Sequence, residues 1–192
     1  MKYLTVGTRE ITQELFRNVE DTEPNNIKPR GGLWLTKYHS EFYNEWVDFI
    51  LDDPVILFYK NRQNSIWEQP CSLVTLNDSA KIFCLDSKQN LDYLRCTYPL
   101  DNDKFSYQAI SNIYDGIYVD MYHLLCDIDD DETRKKIFKF GVNSLILFNL
   151  SCIDYYHPGT VYIEPFDYEA REYEAISYEI KCDDVKTRIL KK

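Results

Sequence analysis

The chain lacks any apolar run long enough to cross a bilayer. Its most apolar stretches, Ser144 to Ile153 and Pro54 to Tyr59, fall well short of the roughly 20 residues that a membrane helix needs. The opening MKYLTVGTREITQ has no continuous apolar stretch of the kind a secretory leader carries. Basic charge is also scarce. Acidic residues outnumber Lys and Arg by 32 to 22, for a net charge of −10, whereas a protein that grips nucleic acid through phosphates carries the opposite excess. Stable binding of DNA or RNA is therefore not expected. A basic protein partner is compatible with the charge, and so is solubility alone.

Catalytic signatures are missing as well. No Gly-x-Ser-x-Gly elbow, phosphate loop or Gly-x-Gly-x-x-Gly fingerprint occurs. The three histidines, His39, His123 and His157, are scattered, and none pairs with a cysteine or carboxylate at zinc-ligand spacing, so no metal is expected. Six cysteines (Cys71, Cys84, Cys96, Cys126, Cys152, Cys182) are irregularly spaced, several within apolar runs. Without a leader, reduced and largely buried thiols in a cytoplasmic protein are the expectation.

What is present is globular. A chain of 192 residues matches one ordinary domain, and no repeat, low-complexity tract or linker divides it. The expectation is a single domain over residues 1–192, in which the stretch from about 161 to 192 can form a C-terminal extension.

Tyr3 to Val6 reads as a strand that Gly7-Thr8 ends. Thr8 then caps a predicted helix carrying Ile11, Leu15, Phe16 and Val19 on one face. Asp21 to Gly32 is the strongest loop signal. Gly32 to Thr36 reads as a strand, and Ser40 as the cap of a helix bearing Phe42, Trp46, Phe49 and Ile50, stopped at Asp52-Asp53-Pro54. Val55 to Tyr59, Cys71 to Leu76, Lys81 to Leu85, Gly116 to Val119 and Leu145 to Phe148 read as strands. Helices are predicted from Asp86-Ser87 through Leu94, over Phe105 to Ile113 and over Thr133 to Phe138, the last preceded by the acidic run Asp127 to Glu132. From Val161 the alternation of aromatic and acidic residues fits a final strand and then a surface helix or tail. Helices scattered among strands without βαβ alternation make the fold class α+β.

The run Lys28-Pro29-Arg30-Gly31-Gly32-Leu33-Trp34-Leu35-Thr36, followed by Ser40-Glu41-Phe42-Tyr43, resembles the nicotinamide-binding core of the ADP-ribosyltransferase superfamily. That core has a Gly-aliphatic-aromatic strand, then a Ser and, three residues on, a Tyr. The same run is similar to one in small bacterial and phage proteins expected to share the fold, as are Tyr114-Asp115-Gly116-Ile117 and Ser144-Leu145-Ile146-Leu147-Phe148-Asn149. The resemblance spans Tyr3 to Ile153. It implies a split β-sandwich with flanking helices, NAD as substrate, and transfer of ADP-ribose to a macromolecular acceptor, most readily a protein.

Carried over by position, Gly7, Thr8, Trp34, Thr36, Ser40 and Tyr43 would hold NAD, with Ser40 on the carboxamide and Tyr43 stacked on the ring. A flat cationic ring suits an aromatic face. Two positions depart from the family. Val6 stands where it places a His or Arg. Ser144, preceded by Asn143, stands where it places the catalytic Glu, and a hydroxyl supplies no negative charge to an oxocarbenium-like centre. Ser144 itself, Asp115 and Glu164 are the candidates for the catalytic role.

Simpler readings stand beside these. Trp34 and Tyr43 also read as core aromatics, Ser40 as a helix cap alone, and Asp115 as the turn-forming residue before Gly116. Three functions remain open: an ADP-ribosyltransferase, a catalytically degenerate NAD- or nucleotide-binding protein, and an acidic protein-interaction module.

Overall fold

A computed structural model of the protein describes residues 1–14, 16–21, 28–52, 68–100, 104–163 and 177–189. Among them, β1 (Lys2–Val6), β2 (Leu33–Lys37), β3 (Glu68–Leu76), β4 (Ile82–Leu85), β7 (Gly116–Val119), β8 (Ser144–Leu147), β9 (Ile153–Ile163) and β10 (Tyr178–Cys182) form an eight-stranded sheet in the order β10-β9-β3-β1-β2-β8-β7-β4. The strands β5 (Pro99–Leu100) and β6 (Lys104–Phe105) make a separate two-stranded ribbon. All pairings are antiparallel except β4 with β7. The protein is α+β, a large mixed sheet with short helices.

Strand β2 changes neighbours along its length. Its far half pairs with β1 (Tyr3↔Lys37, Leu4↔Thr36), and its near half with β8 (Leu33↔Leu147, Leu35↔Leu145). The sheet therefore has two halves joined through β2, and it curls there. Tyr3 on β1 and Cys84 on β4, four strands away in the order, are close enough for the thiol to raise the tyrosine's pKa, second to burial as a cause. Lys37 Nζ lies 4.3 Å from the centre of the Tyr118 ring on β7.

Period-two alternation sorts the core by face. Tyr3, Leu35, Val74, Tyr118, Leu145 and Leu147 point to the concave side and pack together. On the convex side, Leu4, Cys71, Leu73, Val161 and Ile180 pack under α1 (Glu45–Asp52), through Val47 and Leu51. Farther along that side, Ile117, Val119, Ile146 and Phe148 pack with the remaining helices. A Leu or Ile fully buried in these clusters is worth roughly 2–3 kcal/mol over its exposed state.

Those helices are set by short polar caps. In α2 (Lys88–Thr97) the Ser87 hydroxyl accepts the Asn90 N–H, and Leu91 and Leu94 face inward. The short α3 (Tyr107–Ser111) is capped by Ser106, whose hydroxyl donates to Asp21, while Asp21 accepts the Tyr107 N–H at 2.6 Å. Asp120 caps α4 (Met121–Asp127), and Asp130 caps α5 (Asp131–Phe138). The α5 helix has Asp131 and Glu132 in its first turn and Lys135 and Lys136 in its last, a sense that matches the helix dipole.

Several expectations need correction. No helix follows Thr8: residues 8–14 and 16–20 are irregular, with one turn closed by the Phe16 N–H on the Thr12 carbonyl. Ile11 and Val19 are both buried, but in different clusters, so the apolar residues serve two faces rather than one helical stripe. Ser40 does not cap α1. Asn44 does, its Oδ1 accepting the N–H groups of Trp46 and Val47, and Phe42 is exposed.

The longest strand among the described residues, β9, runs through Pro158-Gly159, residue types that strand interiors disfavour. The Pro158 carbonyl accepts the Asp183 N–H, so the ring nitrogen faces the side on which β10 ends, and no ladder bond to β3 is lost. The α4 helix was not expected at all. The predicted strand Val55 to Tyr59, and Leu15, lie outside the described residues. No helix among the described residues is long and apolar enough to cross a membrane.

Candidate functional site

A cleft of about 290 Å³ opens where β1 ends and β2 begins, between Gly7, Thr8, Phe16, Gly32, Leu33 and Leu150. Its position follows from backbone geometry. Gly7 has φ 105°, and its N–H donates to the Pro70 carbonyl at 2.7 Å, so the chain leaves β1 by a turn that a side chain would strain.

Gly31 and Gly32 both have positive φ, 70° and 69°. A Cβ on Gly31 would fall within the Asn18 carbonyl, and one on Gly32 would lie 2.8 Å from Ile146 Cγ2. The Gly32 N–H donates to the Arg17 carbonyl at 2.9 Å. This close approach fixes the N-terminal segment against β2 and sets Phe16 over the cleft. The walls are the apolar Ile11, Phe16, Leu33 and Leu150, and the polar groups are Thr8, Glu10 and Thr12. Thr8 is held locally, its hydroxyl bonded to the Glu10 backbone.

Trp34 follows Leu33 and points to the opposite face. Its Nε1 donates to the Gly31 carbonyl at 3.1 Å, its ring packs 6.0 Å from Phe140, and Lys28 Nζ lies 5.3 Å from its centre. The ring face is thus covered from within the chain. Thr36 is buried and donates to Asn44 Oδ1 at 3.0 Å. Ser144 is buried at the start of β8, its hydroxyl on the Val142 carbonyl at 3.0 Å. Trp34, Thr36 and Ser144 do meet, with Trp46, around a gap of only about 10 Å³, space for one water.

Ser40 and Tyr43 lie beyond the far end of β2. The Ser40 N–H donates to the Tyr43 carbonyl at 3.3 Å, and the Tyr43 ring, half exposed, stands 5.2 Å from His39. Because β1 and β2 are antiparallel, Gly7 falls beside the start of β2. The strand alone puts about 13 Å between Leu33 and Lys37. Gly7, Thr8 and Gly32 therefore share one end of the sheet, and Ser40 and Tyr43 the other.

Asp115 lies at the cleft end of the sheet, just before β7. Its carboxylate accepts the Lys81 N–H and the Asn149 amide, each at 2.8 Å, and its carbonyl accepts the Phe148 N–H. Both carboxylate oxygens thus tie β4, β7 and β8 together. Glu164 lies outside the described residues.

Sequence reasoning missed Phe16, Glu10 and Leu150 as cleft residues: Phe16 reads as part of a helix face, and neither Glu10 nor Leu150 belongs to a motif. It also missed a polar cluster at the far end. There Glu45, in the first turn of α1, accepts the Asn143 N–H at 3.2 Å and lies 3.6 Å from His39 Nε2. Among the described residues, no group of three or more His, Cys, Asp or Glu could hold a metal ion. Set against protein-family models, curated proteins and solved structures, the chain has no significant match in any of the three comparisons.

Proposed function

We propose that the protein is an NAD-binding module of ADP-ribosyltransferase-like build that holds one half of the dinucleotide in the Gly7–Leu33 cleft and does not transfer ADP-ribose efficiently. The observation that carries this reading is the cleft itself, which brings Gly7 and Thr8 together with the start of β2. Its volume of about 290 Å³ is at the lower end of ligand pockets, enough for part of a dinucleotide. Phe16, Leu33 and Leu150 offer apolar walls to a flat ring, and the Glu10 carboxylate complements the positive charge of nicotinamide. The change of neighbours along β2 supports a split sandwich as the architecture.

Inefficient turnover is read from the two catalytic candidates among the described residues. Asp115 is engaged by two hydrogen bonds, and Ser144 is neutral, buried and bonded to Val142. Neither is free to steady a developing sugar cation.

The test is calorimetric titration with NAD alongside an assay of nicotinamide release, on the wild type and on Thr8→Trp, which fills the cleft. Binding without release, weakened at least tenfold in Thr8→Trp, supports the proposal. Release of nicotinamide would restore the transferase reading and turn attention to a protein acceptor. No binding at millimolar NAD, a threshold of about −4 kcal/mol, would remove the NAD reading altogether.

A further inference from the structure

Cys71, Gly159 and Cys182 stand opposite one another on three neighbouring strands: Cys71↔Gly159 pairs β3 with β9, and Cys182↔Gly159 pairs β10 with β9. Residues in one cross-strand row point to the same face. The central residue has no side chain, so the two thiols meet over it, and both belong to the cluster beneath α1. A Cβ on Gly159 would come within 3.0 Å of the Cys182 sulfur and 2.6 Å of the Lys181 carbonyl oxygen. Only glycine leaves this space to the sulfurs.

The two thiols perturb each other's ionisation. The interaction between them, above all, raises the Cys71 pKa and lowers that of Cys182, with burial adding to the rise at Cys71. Cys71 is buried and Cys182 half-buried, so the pair is reached from the Cys182 side. Arg9 bonds to Asp183 at 3.0 Å and to Thr160 Oγ1 at 3.5 Å, residues that alternate with those of the thiol row; its charge favours the Cys71 thiolate, and that of Asp183 opposes it.

A disulfide does not fit this geometry. Residues two strands apart in a sheet have Cα atoms about 9.6 Å apart, and a disulfide needs about 4.4–6.8 Å. An atom inserted between the sulfurs meets no such limit. Zinc requires about four ligands, and no third His, Cys, Asp or Glu joins the pair among the described residues. Soft thiolates select monovalent copper, an ion that accepts two ligands in line.

We infer that Cys71 and Cys182 form a two-coordinate site for a soft monovalent cation, copper(I) by chemical class. Binding replaces both thiol protons: two S–H bonds break, two S–Cu bonds form, and two protons leave to solvent without change of oxidation state. The product, two thiolates and one cation, carries a charge of −1.

The experiment is anaerobic titration of the reduced full-length protein with copper(I) against a chromophoric copper(I) chelator, and with silver(I) as a redox-silent counterpart. One equivalent is withheld from the chelator by the wild type and by a Cys84→Ser/Cys96→Ser/Cys126→Ser variant. It is lost in Cys71→Ser and in Cys182→Ser. Since Cys71 is buried and its replacement can impair folding, alkylation mapping of the wild type gives a second reading. One equivalent of silver(I) should protect Cys182 while Cys84, Cys96 and Cys126 still react. Unchanged copper uptake in Cys182→Ser, displacement of copper by an equal concentration of zinc, or ready formation of a Cys71–Cys182 disulfide with hydrogen peroxide would overturn the assignment.

Discussion

The Tyr178 hydroxyl accepts the backbone N–H of Asn44 at 2.6 Å, joining residues 134 positions apart, and donates to Asp48 Oδ1 at 2.8 Å. It ties the edge strand β10 to both ends of the first turn of α1. Asn44 is fully buried, so its N–H has no recourse to water. The hydroxyl is held in its neutral form, burial first and the bond to Asp48 second raising its pKa.

Tyr178→Phe keeps the ring and removes this partner. The buried N–H left behind costs about 1–3 kcal/mol, to be read as a lower urea midpoint with an unchanged slope. A change below about 0.5 kcal/mol would mean that the N–H finds another acceptor.

Asn44→Ala is the sharper test of which residue starts α1. It removes the acceptor for Trp46 and Val47, the partner of Thr36, and the donor to the Lys37 carbonyl. A loss of about 2 kcal/mol or more is expected, above that of a simple cap. Ser40→Ala, which removes one exposed bond to Phe42, should stay within about 0.5 kcal/mol. The reverse ranking in thermal melts would reinstate Ser40 as the cap.

Gly32→Ala should destabilise by about 1–3 kcal/mol. The new Cβ meets Ile146 Cγ2 at 2.8 Å and the Leu147 carbonyl oxygen at 2.9 Å, at a φ of 69° that favours glycine. Gly7→Ala has the backbone penalty alone, because nothing lies within 4 Å of its Cβ position. Chemical denaturation of the pair separates strain from collision, and equal losses would show that the approach of β2 to β8 relaxes.

Asp130 sets a pH dependence. Hydrogen bonds from Thr133, side chain and then backbone, hold its carboxyl below the ordinary value of 3.8. A folded-state pKa below the unfolded one stabilises fully above the unfolded value, and the contribution is lost as pH falls through the folded value. Asp130→Ala should therefore melt at a lower temperature than the wild type at neutral pH, with the gap closing below about pH 4. A gap that persists at about pH 2 would assign the effect to something other than the ionised cap.

Much of the sheet was legible wherever local preference and burial agreed. Ser144–Leu147 is a continuous buried run and Gly116–Val119 another, and each forms a strand. Ser87 before Leu91 and Leu94 marks a helix by cap and period together. Where local signals were evenly matched, distant residues settled the outcome. Ser40 and Asn44 are both good cap residues, and the choice falls on Asn44, which Tyr178 and Thr36 also hold. For the segment after Thr8, the spacing of Ile11 and Val19 fits a helix, but the two side chains are drawn into separate cores.

Composition and period alone carried the α+β class, the acidic charge, most strands and the helices other than α4, because each depends on neighbours within a turn or two of chain. Tertiary structure brought Gly7 and Thr8 to the start of β2 and sent Ser40 and Tyr43 to its other end. It also bound the Asp115 carboxylate to Lys81 and Asn149, and set Cys71 against Cys182 across Gly159. These relationships follow from strand order and register, which arise when buried faces from remote segments pair. No local run of residues encodes that pairing.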